Sequence, residues 1–143
     1  MKKYHSFSAS ETEKIASDFA KTLTGNEVLA MFGTLGMGKT AFVRGLAKGL
    51  GNDSEISSPT FAIVHDYGGT PRLYHFDMYR ISTWDDLYST GFFDYLDMGG
   101  ILAVEWSENI ENALPEGYTR IVFEKGQDEN ERTITVYSPE EVN

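Results

Sequence analysis

Residues 33–40 read Gly-Thr-Leu-Gly-Met-Gly-Lys-Thr, and this spacing of glycines, lysine and threonine is typical of a phosphate-binding loop. Gly33 and Gly38 allow backbone conformations that are closed to residues with a Cβ, so the loop can turn its N–H groups towards a phosphate chain. Lys39 supplies a charge for the β- and γ-phosphates, and the Thr40 hydroxyl can bind Mg²⁺. The pattern predicts a P-loop that binds a nucleoside triphosphate; the alternative is a glycine-rich turn with an incidental lysine.

The segments on either side of this loop have the patterns that a P-loop requires. Residues 28–32 are a short apolar run, as in a strand buried within a parallel sheet. Apolar residues then recur at helical spacing from Lys39 to Leu50, and Gly51 stands where a glycine commonly ends a helix. A helix that starts at the loop would add the positive end of its dipole to the phosphate site.

Two acidic residues at the ends of predicted strands are candidates for the chemistry of hydrolysis. Glu105 follows the apolar run 101–104, and from the end of a buried strand it could hold Mg²⁺ or position the attacking water. A solvent-facing glutamate is the alternative. Asp77 and His75 project from the same face of a predicted strand, and spacing alone favours an exposed polar face over a place near the γ-phosphate. No third ligand is evident for a His-x-Asp metal site.

Other residues are compatible with triphosphate hydrolysis without establishing it. Thr60, in the loop sequence Ser-Pro-Thr, could sense the γ-phosphate as switch residues do. An arginine finger could come from this chain or equally from a partner. The arginines considered for this role are Arg44, Arg72, Arg80 and Arg132.

The remaining patterns predict one α/β domain over residues 1–143, with a parallel core around the P-loop strand and added antiparallel strands. The other predicted elements are an edge strand over 2–7, a helix capped by Ser10 and Glu13 that ends at Gly25, a hairpin of strands 61–67 and 72–79, a short helix from Thr83 to Gly91, a strand over 101–104, and an antiparallel pair over 118–125 and 132–137. Residues 139–143 are predicted to fray.

The composition favours a soluble protein in the cytoplasm. The chain has 143 residues and no cysteine, which excludes disulfides, thiolate metal sites and a cysteine nucleophile and fits a reducing compartment. The basic N-terminal residues are not followed by the apolar stretch of a signal peptide. No apolar run approaches the about 18 residues of a membrane span, so we expect no membrane association.

The net charge of −10 limits the partners that the chain can bind. A chain this acidic should not bind nucleic acid through a broad basic face. The charge is compatible with docking on a basic protein, and equally with a role in solubility alone.

Four blocks of the sequence together resemble the TsaE family, formerly YjeE, small bacterial ATPases of tRNA threonylcarbamoyladenosine (t6A) synthesis. The blocks are the P-loop at 33–40, Ser-Pro-Thr-Phe at 58–61, Tyr-His-Phe-Asp-Met-Tyr-Arg at 74–80 and Val-Glu-Trp at 104–106. The resemblance spans nearly the whole chain and implies a P-loop NTPase-type fold of three layers with a mixed sheet. The blocks at 74–80 and 104–106 are far more diagnostic than the P-loop, which many families share.

The resemblance also implies roles for individual residues, with ATP and Mg²⁺ as the ligands. Lys39, Asp77 and Glu105 would be catalytic, and Thr40 and Glu105 would hold Mg²⁺. The resemblance thereby favours a catalytic role for Asp77 over the exposed position that spacing alone favours. The residues implied to bind the nucleotide are Glu11, Gly33, Leu35, Gly36, Met37, Gly38, Lys39, Thr40, Thr60, Trp106 and Arg132.

The partners implied by the resemblance are TsaB and TsaD. The chain would dock on their complex, with ATP near the contact with TsaD, and its hydrolysis, weak alone, would reset the complex between turnovers. It would serve the modification at position 37 of ANN-decoding tRNAs and meet tRNA only indirectly. Thr34, where the family usually has Asp or Asn, and Met37, where it has Ala or Ser, depart from the pattern.

Three other functions are compatible with the residues. A small-molecule or nucleotide kinase is allowed by the P-loop and the length, although no arginine-rich lid is evident. A GTPase is disfavoured because the guanine-reading motif Asn-Lys-x-Asp is absent. A non-enzymatic binding module is disfavoured because Lys39, Thr40 and Glu105 are intact.

Overall fold

The structure is a computed structural model that describes residues 1–33, 38–52 and 64–142. Strands in these residues form one mixed sheet in the order β1-β7-β6-β2-β5-β4-β3. The strands are β1 (Lys2–Ser6), β2 (Val28–Phe32), β3 (Val64–Asp66), β4 (Leu73–Asp77), β5 (Ile101–Glu105), β6 (Thr119–Lys125) and β7 (Arg132–Tyr137). The strands β6, β2, β5 and β4 run parallel, while β1, β7 and β3 pair antiparallel. The predicted parallel core with added antiparallel strands is confirmed.

Helices cover both faces of the sheet and make the fold three-layered. On one face lie α1 (Ala9–Ala20) and α2 (Lys39–Gly49), which pack on a core that includes Phe42 and Leu46. On the other lie α3 (Trp84–Ser89), α4 (Phe92–Tyr95) and a 3₁₀ segment (Ser107–Ala113). Every residue of β2 and β5 is buried, as expected for parallel strands that are covered on both faces.

The α2 helix lies very close to α1 because glycines form part of the contact. A Cβ on Gly45 would lie 2.7 Å from the Cβ of Ala16 and closer still to the Glu13 carbonyl oxygen. A Cβ on Gly49 would meet Ala20 in the same way, at 2.7 Å. The α1 helix therefore fixes the position of α2, and with it the residue at the start of α2, Lys39.

The predicted cap of α1 is wrong by two residues. The N-cap is Ser8, whose hydroxyl accepts a hydrogen bond from the Glu11 N–H at 3.1 Å. The Glu11 carboxylate in turn accepts one from the Phe7 N–H at 2.8 Å. Ser8 and Glu11 have the same three-residue spacing as the predicted pair Ser10 and Glu13, so the spacing alone could not distinguish them.

Other parts of the chain also differ from the sequence prediction, and α1 ends at Ala20 rather than at Gly25. Residues 139–142, predicted to fray, form the short helix α5 (Pro139–Val142), where Glu141 pairs with the amino group of Met1 and accepts a hydrogen bond from the Ser138 N–H at 3.0 Å. The helix α4 and the 3₁₀ segment were not predicted. The predicted hairpin is present as β3 and β4, although residues 61–63 of its first strand lie outside the described residues.

The cap of α3 is as predicted. The Thr83 hydroxyl accepts a hydrogen bond from the Asp86 N–H at 3.1 Å, and the Asp86 carboxylate accepts one from the Thr83 N–H at 3.3 Å. No helix within residues 1–33, 38–52 and 64–142 is long and apolar enough to span a membrane.

Candidate functional site

The carboxyl ends of the parallel strands β2, β4 and β5 meet beside the start of α2. Gly33 follows β2 with a φ of +146°, and a Cβ there would lie 2.9 Å from the Phe123 carbonyl oxygen of β6. Gly38 precedes α2 with a φ of +89° and offers no side chain to cap the helix. Both glycines thus have the backbone conformation for which the sequence predicts them, and the N-cap Gly38 offers no side-chain acceptor to the first N–H groups of α2.

Lys39, the first residue of α2, is buried at this edge with only 4% of its surface exposed. Its Nζ donates a hydrogen bond to the Gly33 carbonyl oxygen at 2.7 Å and lies 4.0 Å from the centroid of the Trp106 ring. Burial lowers the pKa of Lys39, and the nearby carboxylates of Glu105, Glu108 and Asp77 oppose that shift. The Lys39 ammonium is thus held by the Gly33 carbonyl oxygen and lies near three carboxylates.

Glu105, the last residue of β5, is buried and hydrogen-bonded to a buried histidine. Its Oε2 contacts Nε2 of His75 on the adjacent strand β4. The other ring nitrogen of His75, Nδ1, has no hydrogen-bond partner among the described residues, and the ring stacks on Tyr67 with centroids 6.2 Å apart. The pKa of the Tyr67 hydroxyl is raised, first by burial and then by the charge of Glu105. The glutamate carboxylate is thus held in one orientation by a side chain from the neighbouring strand.

Asp77, the last residue of β4, lies directly opposite Glu105 in the parallel register. Both project from the face of the sheet that α2 covers, as does His75. The Asp77 Oδ1 accepts a hydrogen bond from the Tyr79 N–H at 3.0 Å, and the side chain is half-buried. The fully exposed position that spacing alone favours is therefore not what the structure shows.

Glu108 is a residue of the site that the sequence analysis missed. Its Oε2 accepts a hydrogen bond from the Gly33 N–H at 2.8 Å. A tight turn after β5 makes this possible: Trp106 has a φ of +59°, and the Ser107 hydroxyl donates to the Val104 carbonyl oxygen at 2.8 Å. The only sequence signal is a second acid three residues after Glu105, at the end of a predicted strand.

The other predicted nucleotide contacts lie on the α1 side of the loop. Arg132 and Gly38 line a cavity of about 200 Å³ together with Ser8, Ala9, Thr12, Ala41 and Asn130. The Arg132 guanidinium donates to the Glu129 and Glu131 carbonyl oxygens at 2.6 and 2.9 Å. Glu11, in the first turn of α1, does not line this cavity, and its carboxylate accepts a hydrogen bond from the Phe7 N–H.

Several of the predicted contacts fall on residues that the structure does not describe. Leu35, Gly36, Met37 and Thr60 lie outside the described residues, as does Thr34. The half-buried Thr40 lies in the first turn of α2. The structure thus brings together Lys39, Asp77, Glu105 and Trp106, with Gly33, Gly38 and Thr40 beside them.

The chemistry of these side chains fits a triphosphate with Mg²⁺. The Thr40 hydroxyl and the Glu105 and Asp77 carboxylates are oxygen ligands, which Mg²⁺ prefers, and Mg²⁺ usually takes only one or two carboxylates together with waters and phosphate oxygens. Accordingly, no group of three or more histidine and acidic side chains in the described part of the chain is arranged as a complete metal site. Lys39 and the start of α2, whose N-cap residue is a glycine, supply the positive charge that phosphates need.

A model of the family described as threonylcarbamoyl adenosine biosynthesis protein TsaE matches residues 6–134. The chain is similar to proteins named tRNA threonylcarbamoyladenosine biosynthesis protein TsaE from several bacteria. It is 37% identical to that of Treponema pallidum over 129 residues, which are 90% of this chain and 95% of the relative. It is 38% identical to that of Bacillus subtilis over 135 residues, 93% of this chain and 84% of the relative. For Aquifex aeolicus the identity is 40% over 134 residues, 91% of each chain.

A solved structure has the same fold. The crystal structure of Bacillus subtilis YdiB matches with a TM-score of 0.74 and 36% identity, over 96% of this chain and 84% of that one. The residues matched by the family model include every candidate site residue from Glu11 to Arg132.

Proposed function

The chain belongs to the TsaE family of tRNA t6A biosynthesis proteins, and on this premise we propose that residues 1–143 form a single P-loop ATPase domain that acts in the cytoplasm. It binds ATP with Mg²⁺ and hydrolyses it slowly when alone. Docking on a complex of TsaB and TsaD activates the hydrolysis, which resets that complex for t6A formation at position 37 of ANN-decoding tRNAs. The chain meets tRNA only indirectly.

The observation that carries this proposal is the environment of Lys39. Burial of the Lys39 ammonium costs free energy that its hydrogen bond to the Gly33 carbonyl oxygen and the nearby carboxylates offset only in part, because the pKa of Lys39 remains lowered. An anion that binds directly to Nζ would therefore stabilise this arrangement. The phosphate chain of ATP is such an anion. The N–H groups at the start of α2 and the Lys39 ammonium would then neutralise charge on the β- and γ-phosphates, where negative charge develops during hydrolysis.

The carboxylates have distinct roles in the proposed reaction. Bound Mg²⁺ would supply further charge neutralisation at the phosphate oxygens, and Thr40 and Glu105 are the residues that would hold it. His75 fixes the orientation of Glu105 through their hydrogen bond. Asp77, half-buried beside Glu105, orients the attacking water towards the γ-phosphate.

Calorimetric titration with Mg²⁺ and either ATP or GTP tests the nucleotide site. We expect the protein to bind ATP in preference to GTP, and the Lys39→Ala variant to lose ATP binding while keeping its fold, because this side chain serves the ligand. Lys48→Ala is the matched control, since Lys48 is an exposed lysine near the other end of α2. A folded Lys39→Ala variant that binds ATP as the natural protein does would overturn the P-loop assignment.

A further inference from the structure

Three aromatic side chains, Trp84, Tyr88 and Phe93, contact one another on the surface of α3 and α4, apart from the nucleotide site. Trp84 is 55% exposed and Tyr88 is 65% exposed. The ring centroids of Trp84 and Phe93 are 6.3 Å apart in a stacked arrangement, and those of Tyr88 and Phe93 are 5.2 Å apart. Single exposed apolar residues are common on protein surfaces, but a contiguous group marks an interaction site. We call these three side chains the aromatic patch.

A groove of about 250 Å³ adjoins the aromatic patch, between the start of α3 and the 3₁₀ segment. Trp84 belongs both to the patch and to the wall of the groove, and Glu108 lies in the wall as well. Glu108 also accepts the hydrogen bond from the Gly33 N–H, so this wall residue of the groove contacts the nucleotide site as well. A molecule that covers the patch and fills the groove would therefore contact a side chain that is bonded to Gly33.

The face that carries the patch is acidic. Residues 81–119 contain eight aspartates and glutamates and no lysine, arginine or histidine. Glu105 is buried and faces α2, and the other seven acids are exposed or half-buried. This stretch includes α3, α4 and the 3₁₀ segment, which all cover the same face of the sheet. Arg80 and Arg120 flank the stretch, and Arg120 pairs with Glu111 at 3.3 Å.

These charges identify the class of partner. Tryptophan and tyrosine are the residues that most often dominate protein–protein binding, whereas an acidic face repels the phosphates of RNA. A symmetric contact with a second copy of this chain would bring the same acidic residues against one another, which costs free energy. A protein surface with an apolar pocket ringed by basic residues complements the patch and its surroundings.

We propose that the aromatic patch and the adjoining groove form the docking surface for a protein partner that presents an apolar pocket ringed by lysine and arginine. A short segment of the chain connects this surface to the nucleotide site. The chain runs from Asp77 through residues 78–82 into α3, and the Asn109 side chain holds that connection by donating to the Met78 and Tyr79 carbonyl oxygens at 2.8 and 3.2 Å. A partner seated here contacts both sides of the groove that ends at Glu108.

The test measures binding to the TsaB–TsaD pair, so in this respect it rests on the proposed function. The double variant Trp84→Ser, Tyr88→Ser should bind the pair roughly tenfold or more weakly than the natural protein, as for two central residues of an interface. Its affinity for ATP in the absence of the pair should be unchanged, because neither residue belongs to the nucleotide site. Met98→Ser is the control: Met98 is 57% exposed, precedes β5, and belongs neither to the aromatic patch nor to the lining of the groove.

A charge variant tests the same surface without altering the aromatic rings. Asp94→Lys, on the exposed surface of α4 beside Phe93, should weaken binding to the pair, and more so at low than at high salt. Circular dichroism establishes that each variant is folded. If the double variant does not fold, Asp94→Lys decides the question, and unchanged affinity for the pair would overturn the proposal.

The remaining outcomes separate this inference from the proposed function. If the natural protein binds the pair and the folded double variant binds it equally well, the docking surface is wrong and the proposed function stands. If the natural protein does not bind the pair at all, the proposed partner is wrong and the inference falls with it. Sedimentation showing a dimer that the double variant abolishes, or loss of tRNA binding in the double variant, would also overturn the proposal, in favour of a second copy or of RNA.

Discussion

At the scale of single residues, the site is a set of charged side chains that are held by hydrogen bonds to the backbone or to a neighbouring side chain. The Lys39 Nζ contacts the Gly33 carbonyl oxygen, and Glu108 contacts the Gly33 N–H, so the first glycine of the loop is bound on both of its polar groups. Glu105 is held separately by His75. Each charged group therefore has a partner before any ligand arrives, and a nucleotide would exchange the Gly33 contact of Lys39 for phosphate oxygens.

The histidine behind Glu105 is expected to matter for hydrolysis. In the His75→Ala variant the Glu105 carboxylate loses its hydrogen-bond partner, so we expect the ATPase rate to fall roughly 10–100-fold, as is usual for such supporting residues. ATP binding should change less, and His75→Gln should restore part of the rate because its amide can donate to the carboxylate. His5→Ala, at an exposed position on β1, is the control. An unaltered rate in a folded His75→Ala variant would show that this hydrogen bond has no catalytic role.

Trp106 should report on the nucleotide. Its ring lies 4.0 Å from the Lys39 Nζ, and the chain has only two tryptophans, Trp84 and Trp106. When Lys39 turns to the phosphates, the environment of the Trp106 ring changes, so we expect Mg²⁺ and ATP to alter the intrinsic fluorescence. The change should persist in Trp84→Phe and disappear in Trp106→Phe. A signal that follows Trp84 instead would contradict the position assigned to Lys39.

At the scale of elements, the position of the P-loop lysine depends on how α2 packs on α1. The two helices approach each other through Gly45 and Gly49, where no side chain would fit. The start of α1 also reaches the loop, because Thr12 lies next to Gly38. The packing of α2 on α1 thus fixes the position of α2, and with it the position of Lys39.

Gly45→Ala tests this packing. Alanine is the better helix former by about 1 kcal/mol, but its Cβ would overlap Glu13 and Ala16, and overpacking of this kind costs about 1–3 kcal/mol or more. We therefore expect a net loss in the free energy of unfolding, measured by urea denaturation. Lys14→Ala, at an exposed position on α1, should change it by less than about 0.5 kcal/mol. A Gly45→Ala variant more stable than the natural protein would show that the helices are free to separate.

The elements also show which parts of the site could be predicted from sequence. The P-loop glycines and the apolar runs of β2 and β5 are local patterns, and each predicts its own structure. The contact between His75 and Glu105 is not local, because it depends on the pairing of β4 with β5. Neither segment alone indicates which strand will be its neighbour in the sheet. Glu108 reaches the loop only through the left-handed turn at Trp106, which no local pattern indicates for a tryptophan.

At the scale of the whole molecule, the two faces of the sheet differ. One carries α1 and α2, on which lysines and arginines such as Lys48 and Arg44 pair with Glu13. The other carries the aromatic patch in a stretch without any basic residue. The net charge of −10 is thus unevenly distributed. This arrangement favours docking over solubility as the role of the charge, and it places the docking face beside the end of the sheet where ATP would bind.

The rate of ATP hydrolysis with and without the TsaB–TsaD pair tests the proposed partner-activated ATPase most directly. We expect the isolated protein to release phosphate slowly, the pair to raise that rate severalfold or more, and Lys39→Ala to release none in either case. The TsaB–TsaD pair without this chain should not release phosphate at the raised rate. Hydrolysis by the isolated protein at the ordinary metabolic rate of about 10 per second, unchanged by the pair, would contradict the account.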